Sequence, residues 1–126
     1  MQGVELNQLL RTIVVRRAEN DFVFVLVPGG RRFDWPKLRS HLGVSRLSLP
    51  DADEARAVTG YERGTITPFG SSNSWPVIAD ASIVALEKVA IGGGRRGVNV
   101  HIAPHELIAA TNADVVDVTT PEVSSP

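Results

Sequence analysis

Residues 12–17 (TIVVRR) are rich in β-branched side chains and residues 22–27 (FVFVLV) form an unbroken apolar run, with a polar stretch at 18–21 between them. This order predicts a β-hairpin, because branched and aromatic side chains suit a pleated, packed surface. Pro28, Gly29 and Gly30 break the second strand. Asp34 then predicts a helix over 35–42, with Pro36 in the first turn, Leu38 and Leu42 on one face and Gly43 as its stop. Residues 44–49 are expected to form a half-buried strand. Asp51 followed by Glu54 resembles a capping box and opens a short helix that Gly60 ends. Further along, 75–79, 88–91, 98–102 and 115–118 read as strands, and 105–110 as a helix. The pattern leaves 81–86 open between helix and extended chain. Short strands interleaved with short helices, with hairpin-like spacings, predict a mixed α/β (α+β) domain. Its sheet is expected to be largely antiparallel and barrel-like, not a series of repeated βαβ units.

Composition narrows the chemistry. A chain of 126 residues, 43% hydrophobic and 21% charged, is the size and make-up of one globular domain. The domain is expected over 1–118, with a loose tail at 119–126. The sequence has no apolar run of membrane-spanning length and does not start with the charged-then-apolar order of a signal peptide, so a cytoplasmic protein is expected. It contains no cysteine, which excludes disulfides, thiolate nucleophiles and cysteine zinc sites. The net charge is −1, so contact with nucleic acid would have to come from local clusters. The arginine doublets Arg16–Arg17, Arg31–Arg32 and Arg95–Arg96 are candidates, equally readable as solvated turn charges.

The distinctive stretch is 59–70, TGYERGTITPFG. Glycine allows close approach of a ligand to the backbone, while Pro68 fixes its own φ and removes one donor, so 64–68 can form a preset wall of main-chain amides. An ordinary surface loop fits the spacing equally well. The later GGGRRG at 92–97 lacks the following helix that a phosphate loop needs and is expected to be a tight turn lining a pocket. His41, His101 and His105 have no carboxylate at ligand spacing, and Ser71, Ser72 and Ser74 lie outside any GxSxG elbow. Asp80 follows WPVIA and either caps a turn or orients a polar substrate group.

Taken in order, RTIVV, FVFVLVPGGRRFDWPKLRSHLG, TGYERGTITPFG, WPVIAD, VAIGGGRRGVNV and ADVVDVT resemble the YbaK/ProX family, the prolyl-tRNA synthetase-associated editing domains. The resemblance covers residues 9–118. It implies a mixed α/β barrel-like fold and a free-standing deacylase that hydrolyses the ester of mischarged tRNA carrying a small residue such as alanine, cysteine or serine. It further implies that Gly64, Thr65, Ile66, Thr67 and Pro68 cradle the carbonyl and terminal adenosine, continuing through Phe69 and Gly70. Gly92, Gly93 and Gly94 form a second amide wall and Asp80 orients substrate in this scheme. Arg11 stands where the family has a functional lysine, and arginine keeps its charge and offers a wider fork. No side-chain nucleophile, cofactor or metal is expected, since an ester can be hydrolysed by amides and a cation that polarise its carbonyl.

The expected partners are mischarged aminoacyl-tRNA and an aminoacyl-tRNA synthetase, with no membrane; the oligomeric state stays open, a homodimer included. Members of the family carry an N-terminal helical cover, whose end residues 3–10 resemble, so either a short version or a missing start is expected, with one pocket wall absent or supplied by another subunit. The alternative is a non-catalytic module of the same fold that binds tRNA ends or a small amino-acid-like ligand, and Arg11 separates the two.

Overall fold

The computed structural model describes residues 8–61, 66–68, 75–92 and 99–121. The predicted hairpin is its centre. Strands β1 (Leu9–Ala18) and β2 (Asp21–Pro28) pair antiparallel from Leu10↔Pro28 to Ala18↔Asp21, and the turn places Asn20 at φ 57°. β2 is buried on both faces: Phe22, Phe24 and Leu26 enter one core cluster, and Val23, Val25 and Val27 enter the other. An unbroken apolar run is what a strand covered on both sides requires, because alternate side chains point to opposite faces. Each such side chain removed from water contributes about 1.5–3 kcal/mol.

β3 (Arg31–Phe33) follows, then α1 (Trp35–Leu42), α2 (Ala52–Thr59), β4 (Val77–Asp80), a 3-10 helix (Ala81–Ala85), β5 (Val89–Gly92), β6 (Asn99–Ile102), α3 (Pro104–Thr111), β7 (Asp114–Val116) and β8 (Thr119–Pro121). The main sheet runs β6-β5-β1-β2-β4-β7, and β3 pairs with β8 in a second, two-stranded sheet. The sheet is mixed: β1–β2 and β5–β6 are antiparallel, while β5–β1, β2–β4 and β4–β7 are parallel and short. Among the described residues β6 and β7 stand at the two ends of this ladder, and the domain is of the mixed α/β class expected. Leu38 of α1 packs into the Val23–Val25–Val27 cluster, and Leu107 of α3 and Ile83 pack into the other. None of the described helices is long and apolar enough to cross a membrane.

The helix ends follow the sequence. Asp34 accepts from the Lys37 amide and Asp51 from the Glu54 amide, and Gly43 and Gly60 close their helices at φ 69° and 82°. The box at α2 is half made, because the Glu54 carboxylate takes both its bonds from Arg16, at 2.8 and 2.9 Å.

Two expectations need correction, and one open segment is decided. Residues 44–49 form no strand: only Ser48 bridges to Arg16, since the apolar positions 44, 47 and 49 do not alternate and Leu49 is 52% exposed. The undecided segment is a 3-10 helix capped by Asp80. Order also persists past residue 118, because Thr119 is buried and Thr119–Pro121 pairs with β3.

Candidate functional site

The parallel pairing of β5 with β1, Leu9↔Ala90 and Leu10↔Ile91, sets the end of β5 beside the start of β1. β6 returns antiparallel and places Asn99 opposite Gly92. Between these strand ends, the chain at Leu49 and Pro50, and Ala55 of α2 lies a cavity of about 470 Å³, whose lining includes Arg11, Thr12, Ile66, Gly92 and Asn99. That volume is in the range of small-molecule sites, ~300–1,000 Å³.

Three residues expected at the site therefore share one cavity: Arg11, Ile66 and Gly92. A Cβ built on Gly92 would stand 3.8 Å from the Ile66 carbonyl oxygen, so Gly92 and Ile66 are neighbours across the cavity. Thr67 is buried and Pro68 half-buried beside Ile66. Gly64, Thr65, Phe69, Gly70, Gly93 and Gly94 lie outside the described residues. Arg11 is exposed, and its Nη2 donates a 2.7 Å hydrogen bond to the Arg31 carbonyl oxygen.

Asp80 is not among the lining residues of this cavity. Its carboxylate is 1% exposed and accepts from the Ser82 amide and hydroxyl and, at 3.0 Å, from the Val118 amide. Burial alone would raise its pKa; the bonds from Ser82, Val118 and Thr119 outweigh that and hold it below the ordinary carboxylate value. Of the two uses open to Asp80, the turn cap is the one its bonds make, and the same carboxylate ties the end of the chain to β4. Arg31 stands 3.6 Å from it and donates to Thr119 Oγ1.

Sequence reading missed Thr12. Its Oγ1 is buried with no hydrogen-bond partner, and the residue lines the cavity. An orphaned hydroxyl costs free energy unless a ligand or water meets it. In a β-branched run Thr12 reads as a strand former, so only its burial distinguishes it. The doublet Arg16–Arg17 is engaged by Glu54 and Asp21, while Arg95 and Arg96 lie outside the described residues. Among the described residues no His, Asp and Glu cluster could hold a metal.

The aminoacyl-tRNA editing domain model matches residues 1–110. The chain belongs to that family. A protein of Enterococcus faecalis named as a Cys-tRNA(Pro)/Cys-tRNA(Cys) deacylase, EbsC, is 25% identical over 120 residues, which covers 95% of this chain and 73% of that protein. A proline–tRNA ligase of Moorella thermoacetica is 31% identical over 121 residues, 95% of this chain but 20% of the ligase. A solved structure described as a trans-editing enzyme for prolyl tRNA synthetase superposes with TM-score 0.88 at 28% identity, covering 94% of this chain and 74% of that one. As an editing domain, the chain keeps the mixed sheet and helices of these neighbours, with the Arg11 cavity between its strand ends.

Proposed function

We propose that this editing domain is a trans-acting deacylase that hydrolyses the ester of tRNA carrying a wrong, small amino acid. The observation that supports this most is the meeting of Arg11, Thr12, Ile66 and Gly92 around one cavity, whose lining among the described residues holds a cation and no nucleophilic constellation. Water attacks the ester carbonyl, the negative charge that develops on its oxygen is met by cation and amides, and the bond to the tRNA 3′ oxygen breaks as that oxygen takes a proton. Arg11 serves as the cation, with the donors not used on Arg31 turned to the developing oxyanion. The Thr12 hydroxyl holds the substrate ester or the attacking water. The stretch containing Ile66, Thr67 and Pro68 lines the aminoacyl side and Gly92 leaves room opposite. Such a second sieve is needed because a synthetase pocket separates similar side chains by only about 1–3 kcal/mol per methylene.

The test is hydrolysis of alanyl, cysteinyl and seryl tRNAs by the purified chain. Release faster than the spontaneous rate with at least one is expected, and none above it removes the deacylase reading. The second reading, a binding module, is favoured by one observation: Arg11 is an arginine already anchored on the Arg31 carbonyl. It predicts retained binding of tRNA 3′ ends without turnover.

A further inference from the structure

Arg11 borders a second hollow, of about 680 Å³, on the side of β3 and α1. The two spaces also share Ile13 and Leu49, so they adjoin along β1. The second differs in character. Phe33 and Trp35 line it as an edge-to-face pair, with ring centroids 4.9 Å apart and planes at 65°, and exposed Arg32 stands beside them. No ion pair occupies Arg32 among the described residues. The acidic residue among its lining, Asp34, caps α1 by accepting from the Lys37 amide.

The aromatic pair is fixed from behind. Phe33 pairs with Thr119 across the β3–β8 sheet, Trp35 begins α1, and both pack against the Val23–Val25–Val27 cluster. The Arg11 guanidinium, bonded to the carbonyl of Arg31 at the start of β3, joins the two hollows. A half-buried aromatic surface edged by an exposed cationic side chain is the chemistry that holds an unpaired nucleotide: the ring supports the base and the cation meets the phosphate.

We infer that the Phe33–Trp35–Arg32 hollow is a subsite for the unpaired nucleotide preceding the esterified terminal adenosine, with a base against Trp35 and its phosphate at Arg32. The inference rests on the editing reading of the Arg11 cavity, since it is the shared wall that makes the second hollow the next station along a strand. It gives the domain a means of gripping a tRNA 3′ end without contact to the helical body of the tRNA.

Calorimetric titration with the trinucleotide CCA and with adenosine alone tests it independently of turnover. The wild-type chain is expected to bind CCA more tightly than adenosine by about tenfold, the scale of one base stacked on an aromatic ring plus a phosphate contact. Arg32→Ala and Trp35→Leu, the latter keeping apolar bulk against the core, are expected to remove that margin and leave adenosine binding unchanged, with melting transitions recorded for both. Equal affinity of the wild type for the two probes, no binding of either, or a margin that survives in the folded Arg32→Ala protein overturns the subsite. A wild-type chain that hydrolyses no ester yet keeps the margin refutes deacylation alone and leaves the subsite standing.

Discussion

Arg11 donates from its guanidinium to the carbonyl oxygen of Arg31, 20 positions further along the chain, at 2.7 Å. That bond fixes the cation at the boundary of the two hollows and leaves its remaining donors unassigned among the described residues. With an oxyanion donor worth about 10²–10³ in rate, Arg11→Ala is expected to lower kcat/KM about a hundredfold. Arg11→Lys is expected to keep or raise activity. Steady-state deacylation of all three proteins is the measurement, and equal rates would remove Arg11 from the mechanism. Because Arg11 is exposed, unfolding free energies should agree within about 0.5 kcal/mol.

Thr12 separates binding from stability. Replacing it by valine removes a buried oxygen that has no partner, so Thr12→Val is expected to leave stability unchanged or raise it by about 1 kcal/mol. Activity should fall while the melting transition does not. A variant that unfolds more easily and keeps full activity would make Thr12 a purely structural residue.

Gly92 controls room in the cavity. An alanine methyl there meets the Ile66 carbonyl at 3.8 Å, an ordinary contact, so Gly92→Ala, at the end of β5, should fold with stability changed by less than about 1 kcal/mol. Gly92→Val adds branches toward the lining. It is expected to depress hydrolysis of larger aminoacyl esters more than that of alanyl ester, read from competition between alanyl and bulkier substrates. Equal losses for all side chains would show that Gly92 does not border the aminoacyl end.

Asp80 carries a pH dependence of stability. Its pKa in the fold lies below that of the unfolded chain, so the stabilisation is present above the ordinary carboxylate pKa and is lost as pH falls through the lowered folded value. Asp80→Ala strands the Val118 and Ser82 amides and is expected to cost about 3 kcal/mol near neutrality. Denaturant melts of the two proteins should converge as pH is lowered into the acid range. A gap that stays constant with pH would mean that the carboxylate charge contributes nothing.

Elements carried by local rules were legible in the chain. The hairpin, α1 and α2 with their aspartate caps and glycine stops, and α3 all follow from neighbours a few positions apart. The segments that failed were those whose partners are distant. β3 and β8 are three residues each, too short for a pattern, and exist because Arg31–Phe33 and Thr119–Pro121 satisfy one another's backbone. The expected strand at 44–49 had no neighbour to complete it beyond the Ser48 bridge to Arg16.

The same division holds at the site. By itself the sequence determined the central hairpin, the capped helices and the family resemblance of its ordered motifs, with Arg11, the GTITP stretch and the glycine turn among its candidates, because those rest on local conformational preference and on motif order. Only the tertiary structure decided which of them meet. The parallel register of β5 on β1 brings Gly92 to the cavity with Arg11, which Ile66 also lines, while the bonds to Val118 and Ser82 draw Asp80 into the scaffold. It also exposed Thr12 as an unpaired hydroxyl. Register and satisfaction of buried polar groups are properties of residues far apart in sequence, so they are settled only when the chain has packed.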